Sequence, residues 1–337
     1  MKLDATKYHD KYMKTIIDIP KDIQKLAKKQ FSTIDITIRN IYPPHTDNMQ
    51  GYHKIIGPYG WEESKFPQEY ISWFNTDLTM LFATSNYVKD VFIKNGVKIP
   101  VVVTAEVVED ILHIDSIPLS YDLPQGFKLL HISSAFPRKG IDKLLEAFDI
   151  LNIPDISLVL KTFPNQHNKT IKQLESLNYK VDKIYEEDVS LYTKNDKEIL
   201  FINKDISQKQ IKYLYENSNI LVAPSFGEGF GLPMAEAMLL DTPVITTGYG
   251  GQTDFCTTQT SWLIDYDLVE AKTHLNLKNS IWAKPQVNSL VKQIKTIYNT
   301  QKDKIAIKTT KAKQYILDNY SSKQIAQNIQ DAIINNI

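Results

Sequence analysis

One cysteine, Cys256, stands in the 337 residues of the chain. A lone thiol excludes an internal disulfide framework and a thiolate metal cluster, and predicts a reducing compartment. An excess of one charge is missing too, since 39 Lys+Arg balance 39 Asp+Glu. A sequence-independent nucleic-acid binder needs a basic surplus to displace counterions from phosphates, so that class is set aside. No apolar run nears the roughly 20 residues that span a bilayer. The longest, Ile99-Pro100-Val101-Val102-Val103, has the length of a strand. Residues 1–15 are polar and charged, without the apolar core of a secretion signal. These absences predict a soluble, cytoplasmic chain. What the sequence has in quantity is core, at 42% hydrophobic and 10% aromatic residues. At about 150 residues per domain, the length suggests two.

Residues 22–30 pattern as a short helix, and 34–38 alternate apolar and polar like a half-buried strand that Pro43-Pro44 brings to an end. Glycine is absent before Gly51. Residues 51–67, turn-rich through Gly57-Pro58-Tyr59-Gly60-Trp61, are expected to form a structured loop. A strand at 78–83, a helix at 86–95 closed by Gly96 and a strand at 100–103 follow. Periodicity lapses over 105–125, which places a boundary there. Beyond it strands are expected at 127–132, 157–160, 199–202, 219–223, 244–247 and 262–264. Helices are expected between them at 141–151, 169–177, 207–216 and 232–240. Two more, at 287–299 and 322–334, read as packing elements. Alternating strands and helices imply a parallel α/β sheet covered on both faces, with ligands at the carboxyl ends of its strands.

The chemistry concentrates in Pro224-Ser225-Phe226-Gly227-Glu228-Gly229-Phe230-Gly231-Leu232-Pro233-Met234-Ala235-Glu236-Ala237-Met238. The run leaves a strand, bends through three glycines and enters a helix. Pro233 suits the first helical turn, where its missing N–H costs nothing. The amides near Gly231 and Leu232, backed by the helix dipole, form an anion site suited to a diphosphate. A carboxylate repels a diphosphate, so Glu228 and Glu236 are expected to bond neutral hydroxyls on either side of it. A nucleotide sugar has that layout.

With Asp241-Thr242-Pro243-Val244-Ile245-Thr246-Thr247 and Gly250-Gly251 downstream, the run resembles the retaining GT-B glycosyltransferases of family 4, the glycosyl transferases group 1. The resemblance implies that Glu228 contacts the donor sugar and Glu236 the ribose, with Gly229, Phe230, Gly231 and Leu232 around the donor. A second segment, Ser133-Ser134-Ala135-Phe136-Pro137-Arg138-Lys139-Gly140, is similar to the family's strand-turn-helix whose arginine binds the diphosphate, and Arg138 matches it. Lys161, closing the next strand, matches the family's lysine, whereas Lys139 reads as a surface residue. Glu228, Arg138 and Lys161 thus form the expected catalytic set, two cations neutralising a leaving diphosphate without a metal.

Asn40, at a strand end, and Asp254, after the paired glycines, are secondary substrate candidates. His45 and His53 lack partners at metal-ligand spacing, and no cofactor is implied. The expected fold is α/β GT-B, two Rossmann-like domains facing a cleft. Residues 1–115 form the amino-terminal, acceptor-side domain, 116–320 the donor domain and 321–337 a terminal helix. Two departures mark the amino-terminal half. The family's first strand and glycine-rich loop are not recognisable, and Ala105-Glu106 stands where relatives read Asn-Gly. Residues 1–33, or a second chain, are therefore expected to cover an abridged sheet.

The function implied is transfer of a hexose from a nucleotide sugar to a hydroxyl of a glycan or lipid-linked acceptor, with retention. The donor leans by analogy to GDP-mannose and otherwise to a UDP-sugar. There is room for contact at the cytoplasmic face of a membrane and for a partner chain or oligomer. The alternative is a nucleotide-sugar-binding subunit with little activity alone. A sugar-nucleotide epimerase is disfavoured for want of further acid/base residues.

Overall fold

The computed structural model describes residues 33–337. The expectations for residues 1–32, including the helix at 22–30, lie outside the described residues. The first sheet runs β1 (Ile36–Arg39), β2 (His53–Tyr59), β3 (Met80–Ala83) and β4 (Val101–Val103), side by side in that order and all parallel. Helices α1 (Gln68–Asp77) and α2 (Asn86–Asn95) connect its strands. The Ser85 hydroxyl accepts from the Val88 amide to cap α2, and Gly96, at φ 106°, closes it in the left-handed conformation.

Successive strand residues take opposite faces of this sheet. Ile56 and Leu81 pack with Phe74, Val88 and Phe92 of α1 and α2. Ile55, Met80 and Phe82 point the other way and meet Ala332, with Ile329 and Ile333 packed alongside. Those three come from the last helix of the chain, so the terminal segment returns to cover the first sheet.

The second sheet contains β5 (Phe127–Ile132), β6 (Ile156–Thr162), β7 (Lys180–Glu186), β8 (Val189–Lys194), β9 (Lys197–Asn203), β10 (Ile220–Ala223), β11 (Val244–Thr247) and β12 (Trp262–Ile264). Their order is β12-β11-β10-β5-β6-β9-β8-β7, parallel from β12 to β9, with β8 and β7 antiparallel at one edge. Helices α3 (Ile141–Ile150), α4 (Thr170–Ser176), α5 (Gln208–Glu216), α6 (Leu232–Leu239), α7 (Val287–Tyr298), α8 (Lys302–Tyr320) and α9 (Ser322–Asn336) follow in chain order. Leu129, Leu158 and Ile220 face α3 and α7, while Leu130, Val159 and Leu221 face α5, α6 and α8. A hairpin, β13 (Tyr266–Glu270) with β14 (Ile281–Pro285), projects beside the sheet. Among the described residues no helix is long and apolar enough to cross a membrane.

Several expectations need correcting. Residues 51–67 are not all loop, because β2 is a central strand of the first sheet. Gly57-Pro58 disguises it: the ladder to β3 shifts register between Ile56 and Tyr59, and Gly57 lies so close to Phe82 that a Cβ would come within 2.3 Å of its carbonyl oxygen. Helices α1 and α8, the antiparallel strands β7 and β8 and the hairpin β13–β14 were also not anticipated.

Candidate active site

The chain leaves β5 toward β6 on one side and later returns to β10 on the other. This reversal of strand order opens a crevice at the carboxyl ends of β5 and β10, the usual ligand position in open α/β sheets. The two segments singled out from the sequence both emerge there. They pack against each other: the Phe226 amide donates to the Arg138 carbonyl at 2.7 Å. Gly140, at φ 71°, sits where a Cβ would lie 2.0 Å from the Pro224 carbonyl oxygen, so this turn needs glycine for conformation and space alike. Gly231, at φ 102°, caps α6, and Pro233 occupies its first turn.

A cluster of charges fills the crevice. The Glu228 carboxylate accepts from Lys139 Nζ at 2.7 and 2.8 Å, from Arg138 Nη1 at 3.2 Å and from Ser225 Oγ at 2.7 Å. Burial pushes its pKa up, but the Lys139 ammonium and the Arg138 guanidinium outweigh that and bring it down to about 2. Lys139 is therefore not the surface residue expected from sequence. The turn over Pro137–Lys139 points both basic side chains inward, and Lys139 is spent on Glu228. The signal was there: two adjacent cations in a tight turn need not diverge as they would on a strand.

The amino-terminal half closes over this crevice. Arg138 Nη2 pairs with Glu62 at 2.8 Å, while Nη1 also donates to the Gly227 carbonyl at 3.1 Å. Gly227 is pressed on the Glu62 carbonyl, with only 2.1 Å available to a Cβ. The hydroxyls of Thr84 and Ser85 donate to the Gly229 carbonyl at 3.0 and 2.7 Å. Glycines at 227 and 229 thus serve close contact between the two halves, a reason separate from any phosphate.

A family model described as Glycosyl transferases group 1 matches residues 122–308, more than half of the chain. The chain belongs to the glycosyl transferases group 1 family. Its fold is GT-B, as in a glycosyltransferase from Rickettsia africae of TM-score 0.65, 19% identical, with 90% of this chain and 78% of that one covered. Anabaena HepE, solved in complex with UDP and glucose, aligns at TM-score 0.61 and 15% identity over 84% of this chain and 72% of its own. An uncharacterized glycosyltransferase of Sulfolobus islandicus rod-shaped virus 1 is 28% identical over 129 residues, which are 38% of this chain. The match spans only about a third of that curated relative, at 33%.

Within this member of the glycosyl transferases group 1 family the remaining candidates divide. Lys161 is the last residue but one of β6, beside β5, its stem buried and its ammonium 5.9 Å from the Phe163 ring, with no ion pair among the described residues. Burial lowers its pKa, with Asp205 opposing. Glu236 lies one turn into α6 and accepts from Tyr215 Oη at 2.9 Å; burial lifts its pKa to about 7, the tyrosine opposing. Leu232 is exposed at the start of α6, whereas the Phe230 ring is buried between Phe255 and Tyr320. Only the backbone of Phe230 is therefore placed to meet a ligand. Asp254 reaches across the halves, accepting from the Asn86 amide at 2.8 Å at the first turn of α2. Asn40 is exposed beyond β1.

Sequence reasoning missed Glu62 and Glu106 as well as Lys139. Glu106 follows Ala105, which is buried at φ 60° and linked through its amide to the Ala83 carbonyl at 3.4 Å. Burial and the nearby Glu228 charge raise the Glu106 pKa. Beneath the crevice, His131 donates from Nδ1 to the Val222 carbonyl at 2.8 Å and accepts at Nε2 from Ser133 Oγ at 2.8 Å. Burial holds its pKa near 4, so it is a neutral support for the β5 loop.

Proposed function

We propose that the chain transfers a hexose from a nucleotide sugar to an acceptor hydroxyl of a glycan or glycolipid, with retention, as a family 4 enzyme. The observation that carries this reading is the placement of Arg138, in the turn after β5, against Glu228 and the Gly227 carbonyl of the loop that leads into α6, with Lys161 near the end of the adjacent strand β6. In this reading the two cations and the N-terminus of α6 stabilise the negative charge that develops on a leaving diphosphate. Glu228, ionised and oriented by Lys139 and Ser225, orients the sugar. Glu236 takes the ribose hydroxyls. In front-face departure the acceptor oxygen bonds to the anomeric carbon as the bond to the diphosphate breaks, and the acceptor proton passes to the departing phosphate oxygen. No acid/base side chain has to be placed for that step.

UDP accompanies glucose in the Anabaena neighbour, which makes a UDP-hexose the first donor to try and GDP-mannose the second. The binding-subunit reading predicts the same donor contacts, so turnover separates the two. The experiment is a thermal-shift panel of UDP-, GDP- and ADP-sugars, followed by release of nucleoside diphosphate with and without acceptors. A ligand at 100 times its dissociation constant raises stability by about 2.7 kcal/mol. Arg138→Ala should weaken nucleoside diphosphate and intact donor alike, whereas Glu228→Gln should act on turnover and intact donor. Failure of every nucleotide sugar to raise the melting temperature would sink the proposal.

A further inference from the structure

We propose that Glu62 sets donor affinity by standing in for the diphosphate: its carboxylate holds the Arg138 guanidinium, and donor binding exchanges one anion for the other. The inference rests on the donor-site reading of Arg138. That guanidinium is engaged on both sides, Nη2 by Glu62 at 2.8 Å and Nη1 by Glu228 at 3.2 Å and the Gly227 carbonyl at 3.1 Å. These contacts take up to three of its five N–H donors and share its charge between two carboxylates, so a diphosphate gains the Nη2 edge and the full charge only if one carboxylate yields.

Exposure and partners decide which. The Glu228 side chain is 8% exposed and also holds Lys139 and Ser225, so its departure would strand a buried ammonium. The Glu62 side chain is 35% exposed, and Arg138 is its one ion-pair partner among the described residues. Once released it returns to water at little cost. Its backbone has no such freedom. The Glu62 carbonyl rests on Gly227, and the neighbouring Trp61 is buried with its indole N–H donating to the Lys65 carbonyl at 2.7 Å. The exchange is therefore a rotation of one side chain on a fixed loop. A diphosphate brings more charge and more acceptor oxygens to the guanidinium than a carboxylate does, so it prevails. Glu62 comes from the amino-terminal half and Arg138 from the donor half, which makes donor affinity depend on the two halves being closed together.

The test is calorimetric titration of the full chain with UDP, GDP, ADP and inorganic pyrophosphate, in wild type, Glu62→Gln, Arg138→Ala and the double variant. Glutamine keeps the length and removes the charge. Whichever probe binds wild type should bind Glu62→Gln roughly two- to fivefold more tightly, the range of a partly exposed ion pair. Arg138→Ala should weaken binding, and Glu62→Gln should change nothing in that background. Equal or weaker binding by Glu62→Gln, with Arg138→Ala still weakening, overturns the exchange and leaves the donor site standing. An effect of Glu62→Gln that survives Arg138→Ala also overturns it. If no probe binds wild type, or Arg138→Ala has no effect, the donor-site reading falls and the exchange with it.

Discussion

Glu236→Gln should make the protein more stable at alkaline pH and nearly neutral in effect at acid pH. Glu236 accepts a hydrogen bond from Tyr215 Oη at 2.9 Å, and burial lifts its pKa from 4.5 to about 7. A carboxyl with a higher pKa folded than unfolded binds protons preferentially in the folded state. Its contribution is therefore most favourable below 4.5 and is lost as pH rises to about 7. At about 1.4 kcal/mol per pH unit the total loss is roughly 3 kcal/mol. Glutamine is neutral throughout and its amide oxygen still accepts from Tyr215. Its NH₂ brings a fixed cost of about 1 kcal/mol if it finds no acceptor, but that cost does not vary with pH. Urea denaturation of wild type and Glu236→Gln at pH 5, 6, 7 and 8 isolates the effect, because every other titrating group cancels in the difference. The stability of the variant relative to wild type should climb by about 2–3 kcal/mol from pH 5 to pH 8. A difference that stays flat across that range would refute the reasoning from burial. The same variant should bind nucleoside diphosphate more weakly, since stability gained at a ligand-binding carboxylate tends to come at the expense of function.

Two further outcomes follow from the charge cluster and the glycine contact. Lys139→Met and Glu228→Gln should each destabilise by roughly 3 kcal/mol, and the double variant by clearly less than the sum, because either single change leaves a buried charge unpaired; additive effects in denaturation would show that the 2.7 Å pair is not coupled. Gly227→Ala should lower stability by about 1–3 kcal/mol, since its Cβ would meet the Glu62 carbonyl at 2.1 Å and no side chain can move to relieve it; an unchanged melting temperature would show that the two loops part readily.

The fold was legible in the sequence where an element is local. Ser207 and Gln210 form a capping box that starts α5, and Gly96 ends α2 where its position suggested. Strand β10, buried on both faces, reads as a continuous apolar run. Strand β2 did not, because Gly57-Pro58 carries a turn signal whose real cause is close approach to Phe82. Strand β7 is solvent-exposed along most of its length and has no apolar face to announce it. The site divided in the same way. Positions along one segment, such as Glu228 before α6 and Glu236 within it, follow from spacing. Partners joined by folding do not: Glu62 lies 76 positions before Arg138, and nothing in its local pattern marks it as the residue that crosses the cleft.

The amino-terminal half remains the place where the enzyme and binding-subunit readings part. That the family's first strand is not recognisable in the sequence suggests a sheet needing cover, and on one face that cover is supplied within the chain, by α9 through Ala332, Ile329 and Ile333. The opposite face packs its own helices α1 and α2. Among the described residues β1 is paired on one side only, so a strand edge remains where another segment or chain can dock. That edge lies at the far side of the sheet from β4, while the cleft is lined by loops at the strand ends. Those loops deliver Glu62 to Arg138, Thr84 and Ser85 to Gly229, and Tyr42 Oη to within 3.4 Å of His274 Nε2 beside the β13–β14 hairpin. A half that served only as a docking platform would have no need to place a carboxylate on the arginine proposed to bind the donor. The cleft wall is therefore built by this chain, which favours turnover by the chain alone, and on the proposed reading a partner at the β1 edge would add acceptor surface to a donor site that this chain supplies.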